Sequence, residues 1–357
     1  MKRNRILAVL IIIALIAAGF AACAQTPTPA VTPTPAAEAP TPGDTETDEP
    51  DEPATPEWAP SRNIEWMITS GPGGGSDIFT RTIADIMSRE NIVTNTIIAQ
   101  NLTTGGGEVG RNQVATMSAG PVADHTLLTF NSGDLMPMVQ NTANRLENFT
   151  SIAVMAVDKQ IILSAEHTTF ADFYEAVEAA RAGESVIVGG SRGDDHMTFD
   201  MLLTEVGLTS DDIPYITFDS TAEAIAAILG GHLDFVVAKP AAASEFVDAG
   251  MLIPELALSN ERFGGNLASA PTVSEIGDGQ YNNVEFPVWR SVVGPASMSP
   301  EAAAFWSEAL RQVSLTDTWI YDYLEQFMLI NAFMSMEESF EYQLNFQTEF
   351  MEMMGLN

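Results

Sequence analysis

One cysteine, four histidines and fifteen basic side chains are a sparse chemical inventory for 357 residues. A single cysteine excludes an intramolecular disulfide and any cysteine-built zinc site. The histidines, His125, His167, His196 and His232, lack metal-ligand spacing, and no metal or other cofactor is expected. Forty-eight Asp and Glu against fifteen Lys and Arg leave a net charge of −33. Nucleic acid is excluded as a partner, because neutralising phosphates needs the opposite balance. What is present, 46% hydrophobic and 18% charged residues, is a globular composition at a length that suits two domains.

The lone cysteine carries its meaning in its position. Lys2, Arg3 and Arg5 precede an unbroken apolar run over 6–18, and Gly19-Phe20-Ala21-Ala22 leads into Cys23. This is a secretory signal layout. Small residues before a lone cysteine resemble the lipobox of bacterial lipoproteins, with Phe20 where Leu is usual. The expectation is a signal peptide over 1–22 and a lipidated Cys23 that anchors the body outside the cytoplasmic membrane. The alternative is an uncleaved anchor, since the run approaches the ~20 residues needed to span. The stretch from Ala24 to Pro60 has repeated Thr-Pro units and eight acids, and it holds half of the twenty prolines. Such a segment buries no core and reads as a disordered linker over 23–57, a semi-rigid tether on the order of 100 Å at ~3.1 Å per residue.

From Trp58 onward, short apolar runs alternate with helical periodicity. Strands are expected over 64–69, 97–100, 126–130, 161–164, 186–188, 213–217 and 235–237. Helices are expected over 76–88, 170–181, 197–206, 222–229, 300–313 and 336–354. Alternation of this kind implies an α/β fold with parallel sheets covered on both faces, and the length implies two lobes.

Glycine concentrates at strand-to-helix turns. Ser70-Gly71-Pro72-Gly73-Gly74-Gly75-Ser76-Asp77 follows the first strand and opens a helix, where backbone N–H groups and the helix start can cradle an anion. Ser76 or Asp77 can cap that helix, and no P-loop lysine follows. Gly105-Gly106-Gly107-Glu108-Val109-Gly110 matches G-x-G-x-x-G, but Asp124 precedes the next strand instead of ending it, so a dinucleotide site is disfavoured. Gly189-Gly190-Ser191-Arg192-Gly193 matches a G-x-S-x-G nucleophile elbow, although no histidine lies in the last 125 residues. A secreted serine hydrolase using Ser191 is therefore a rival reading. Phe218-Asp219-Ser220-Thr221 is the fourth such turn, and helix capping accounts for Asp194 and Asp195.

Taken in order, these segments resemble the substrate-binding proteins of tripartite tricarboxylate transporters. The likeness rests on Gly73-Gly74-Gly75-Ser76-Asp77, Thr104 to Gly110, Leu127 to Asn131 and Gly189 to Met197. Pro214-Tyr215-Ile216, Ala224 to Asp234 and Ala270 to Glu275 continue it. The resemblance implies a two-lobed type II periplasmic-binding-protein fold, with lobe 1 from 58–160 and 284–357 and lobe 2 from 161–283. It implies a non-enzymatic monomer that closes on a small organic acid, a di- or tricarboxylate or an amino acid, and hands it to membrane permease subunits. By the same carry-over, Ser70, Gly73, Gly74, Gly75, Ser76 and Asp77 form the first cradle. Gly190, Ser191, Arg192, Gly193, Asp194 and Asp195 form the second, Asn131 and Ser132 the cleft floor, and Phe218, Asp219 and Ser220 its edge. Arg192 and Asp219 depart from the family pattern, and an acid at the edge would disfavour a multivalent anion. A ligand sensor without transport is the remaining alternative.

Overall fold

The structure, a computed structural model, describes residues 58–356. The expected signal peptide, Cys23 and linker lie outside the described residues. In chain order the first elements are β1 (Ile64–Ile68), α1 (Gly75–Arg89), β2 (Ile97–Asn101), α2 (Glu108–Ala115), β3 (Thr126–Asn131), α3 (Ser132–Asn141) and β4 (Phe149–Asp158). Then follow β5 (Gln160–Ser164), α4 (Phe173–Arg181), β6 (Val188–Ser191), α5 (Asp194–Glu205), β7 (Tyr215–Phe218), α6 (Thr221–Leu229), β8 (Phe235–Ala238), α7 (Pro240–Asp248) and β9 (Ile253–Leu258). The chain ends with β10 (Val288–Pro295), α8 (Pro300–Ser314), a π-helical stretch Thr318–Glu325, β11 (Ile330–Met334) and α9 (Met336–Met354).

Two sheets organise these elements, six strands in the order β11-β4-β10-β3-β1-β2 and five in the order β7-β6-β8-β5-β9. The expected α/β alternation is present, but neither sheet is purely parallel. β10 runs antiparallel to β3 and β4, and β5 runs antiparallel to β8 and β9. The physical reason is that β3 and β10 are buried along their whole length. A strand covered on both faces reads as a continuous apolar run whichever way its neighbour points.

The chain leaves the first sheet at Asp158, crosses at Lys159, and enters the second at Gln160. It returns between Leu258 and Val288. Lys159 Nζ donates to Ser259 Oγ at 3.0 Å and pairs with Glu285 at 3.0 Å, tying the two crossings together. Among the described residues, no helix is long and apolar enough to cross a membrane.

Two strands, β6 and β7, start two residues later than their apolar runs suggest. β6 is Val188–Ser191, so Gly189, Gly190 and Ser191 are strand, not loop. A Cβ on Gly189 would meet Leu233 Cδ1 at 2.8 Å, and one on Gly190 would strike the Tyr215 hydroxyl. These glycines let neighbouring side chains pack onto the strand.

Candidate functional site

Strand ends and helix starts of both halves meet at one small cavity of about 60 Å³. Ser70, Gly74, Gly75, Ser76 and Asn131 line it from the first lobe, and Ser191, Arg192, Asp194, Asp219 and Ser220 from the second. The sequence-identified residues Gly73, Asp77, Ser132, Gly190, Gly193, Asp195 and Phe218 lie outside that lining.

The first cradle is built on the start of α1. Its N-cap is Gly74, and no side chain caps it. Neither Ser76 nor Asp77 takes the capping role expected for it. Asp77 instead reaches back to accept from Gly73 N–H at 2.9 Å and pairs with Arg81, while Ser76 Oγ accepts from Asn131 Nδ2 at 3.0 Å. The start of α1 therefore presents uncapped N–H groups and a partial positive charge to the cavity. The Ser70 Oγ beside it is buried and, among the described residues, has no hydrogen-bond partner.

The second cradle repeats the arrangement. α5 begins after Gly193, which is at φ 79° and also lacks a side-chain cap. A Cβ there would approach Gly133 O within 2.6 Å, so the absent side chain lets the start of α5 touch the start of α3 across the cleft. Asp194 and Asp195 do not serve mainly as caps. Their carboxylates hold Lys239 Nζ at 3.0 and 2.5 Å. Burial, with Asp194 alongside, pushes the Asp195 carboxyl up to about 6 despite the attraction of Lys239. Burial lowers Lys239, but the two carboxylates more than offset this and keep it charged.

Ser191 Oγ donates to Asp195 Oδ2 at 2.5 Å. His196, the histidine nearest in sequence, stacks on Tyr215 with ring centroids 4.5 Å apart and faces Asp200. In the Ser-His-Asp arrangement of a nucleophile-elbow hydrolase, an unprotonated histidine takes the serine proton. The bonded neighbours of Ser191 are a carboxylate that also faces Lys239 and a charged ammonium, which is not that arrangement.

Asn131 and Ser220 close the ends of their strands as helix caps. Asn131 accepts from Asp134 N–H at 3.1 Å, and Ser220 accepts from Glu223 N–H at 3.2 Å. Gly71 N–H donates to the Asp219 carbonyl at 2.9 Å, a main-chain bond between the lobes. Arg192 pairs with Asp219 and lies over Gly106. The two charges that depart from the family pattern therefore compensate each other. The three-glycine turn over 105–107, all at positive φ, folds around the Arg111 guanidinium, which donates to Gly106 O at 3.0 Å. It holds an arginine, not a pyrophosphate.

Arg111, Lys239 and Arg290 also line the cavity, together with Thr69, Gly106, Gly133, Asp134 and Thr221. Of these, sequence reasoning named only Gly106 and Thr221, within the second and fourth turns, and passed over the rest. Each cation is almost fully buried and already paired, Arg111 with Asp134 at 2.7 Å, Lys239 with Asp194 and Asp195, and Arg290 with Asp158. Burial raises Asp134 in spite of Arg111. The signal was available for two of them. Lys239 ends the apolar run Phe235–Ala238, and Arg290 interrupts the apolar strand Val288–Pro295. Among the described residues, no cluster of three or more metal-ligating side chains occurs.

A family model described as "Tripartite tricarboxylate transporter family receptor" matches residues 79–338. Protein BugT of Bordetella pertussis is 24% identical over 260 residues, 70% of this chain and 75% of its own. The structure of MatC from Rhodopseudomonas palustris with bound malate superposes with a TM-score of 0.70 at 16% identity, over 83% of this chain and 99% of that one. R. palustris Rpa4515 with adipate gives 0.68 at 17% identity, over 83% and 96%.

Proposed function

This chain belongs to the tripartite tricarboxylate transporter receptor family, and from that premise we propose that it captures a small organic carboxylate between its lobes and delivers it to membrane permease subunits. The family is one of extracytoplasmic solute-binding receptors, and the two-lobed fold is that of periplasmic binding proteins. The observation that carries the reading is the pair of uncapped helix starts, α1 from one lobe and α5 from the other, facing one cavity. Such ends bind anions with backbone N–H groups and need no free basic side chain. Malate and adipate in two structural neighbours support a small carboxylate as cargo.

Ligand contacts from both lobes favour the closed arrangement, which the permease reads. Lipidation at Cys23 and a tether over 23–57 would hold the receptor at the outer face of the membrane without fixing its orientation. The cleft is complete within one chain, which supports action as a monomer. A thermal-shift screen of the purified protein against mono-, di- and tricarboxylates, amino acids and their neutral amides tests this. A ligand at a hundredfold excess over its dissociation constant adds about 2.7 kcal/mol. A shift of several degrees with at least one acid is expected. A folded protein that responds to no acid in the panel overturns the reading. Labelling of Ser191 by an active-site serine reagent would return the hydrolase to contention.

A further inference from the structure

We propose that Arg290 is a direct anchor for the ligand carboxylate, held in place by the hinge residue Asp158. The inference rests on the receptor reading and adds a charged contact to the backbone cradles. Three observations on the same side chain support it. The first is its position. Arg290 lies on β10 opposite Asn131 of β3 and lines the cavity beside the start of α1, yet is only 1% exposed. The β10–β4 ladder slips by one residue between Arg290 and Ser291, a device that re-aims side chains next to binding sites.

The second is its hydrogen bonding. A guanidinium carries five N–H donors in a fixed fork. Asp158 accepts from Nε at 3.0 Å and also from Nη2, while Nη1 finds only a long 3.5 Å contact with Ser76 Oγ. Among the described residues, no further acceptor is bonded to it. Donors therefore remain on the edge that faces the uncapped N–H groups of α1. A carboxylate placed there takes charge-assisted bonds from both.

The third is the space made for it. A Cβ on Gly75 would collide with Arg290 Nη2. Gly75 is thus required where the guanidinium passes the helix start, and not by backbone conformation. Asp158 is the last residue of β4, one residue before the crossing to the second lobe. The clamp that orients Arg290 is therefore part of the hinge, and ligand charge and hinge geometry share one ion pair.

Removing Arg290 alone would strand a buried carboxylate, so the test removes both charges. In R290Q/D158N, checked for folding by circular dichroism and thermal melting, affinity is measured for succinate, malate and adipate and for their diamides. In the wild-type protein the acids are expected to bind and the amides to bind far more weakly. The double variant is expected to lose tenfold or more of that acid-over-amide preference. A folded double variant with undiminished preference overturns the anchor and leaves the receptor reading intact. A wild-type protein that binds none of the acids overturns both.

A measurement on the unmodified protein removes any dependence on the variant's fold. The Arg290 guanidinium ¹H–¹⁵N resonances, assigned by their loss in R290K, should shift on adding the bound acid and stay fixed with its amide. Resonances unmoved by a saturating acid overturn the anchor.

Discussion

Gly74 marks the point at which one missing side chain decides whether the lobes can meet. A Cβ there would stand 3.2 Å from Ser220 Cβ and 3.3 Å from Gly71 O. Both positions belong to the bond between the lobes, since Gly71 N–H donates to the carbonyl of Asp219, next to Ser220. Gly74→Val adds a branched side chain to a contact that has no slack, at an overpacking cost of ~1–3 kcal/mol. That cost falls on closure and not on either core. The expected outcome is ligand affinity lower by on the order of tenfold to a hundredfold, measured by calorimetry, with a melting temperature near that of the unmodified protein. Unchanged affinity would remove Gly74 from the cradle. Local turn chemistry pointed to Gly74, Ser76 and Ser220, because strand-end and helix-start signals span a few residues, whereas Asn131 came in through the family resemblance. Arg111 carried no such signal, and Lys239 and Arg290 showed only as charges beside or within apolar runs, because α2, the start of α7 and β10 bring all three to the cavity from distant parts of the chain. Only folding places them together.

At the scale of the element, α5 carries a titration that can be followed. Asp195 sits in its first turn, buried, with Ser191, Asp194 and Lys239 around it. Its carboxyl is raised from 3.8 to about 6, chiefly by burial. The folded protein therefore keeps a proton that the unfolded chain has released between these values. Stability from this group is fully present below about 3.8 and is lost as pH rises through about 6. Between pH 5 and pH 7 that loss is about 1 kcal/mol. Asp195→Asn cannot titrate, so the difference in unfolding free energy between the two pH values should change by that amount in urea melts. Comparing slopes keeps the measurement independent of the cost of breaking the Lys239 contact. An identical slope in the variant would show that Asp195 titrates normally. The alternation of strands and helices was readable because period and length are local properties, and the ends of α8 and α9 came within about a residue of expectation. The antiparallel strands and the late start of β6 were not, because direction and register depend on the partner strand.

The whole molecule presents a charge that works against its proposed cargo. With 48 acids and 15 bases in the chain, the surface repels an anion until it reaches the cleft. Within the cleft, Arg111, Arg192, Lys239 and Arg290 are all matched by carboxylates, so no basic funnel reaches outward. Capture then depends on short-range contacts with the helix starts and the Arg290 guanidinium, and the long-range field is only an obstacle. The Debye length is about 30 Å at 0.01 M salt and about 8 Å at 0.15 M. At the lower value an approaching carboxylate feels the acidic body as a whole. At the higher value it feels only the nearest groups, which include the two uncapped N-termini. Association should therefore become faster with salt, by several-fold across this range, where an electrostatically steered receptor would slow. Stopped-flow association of the acid identified by thermal shift, at both ionic strengths, measures this directly. Competition by the added anions acts in the opposite direction, so an increase cannot arise from it. A rate that falls with salt would mean that the exposed cations form an attracting path after all, and that the compensated pairs in the cleft do not describe what the ligand meets on approach.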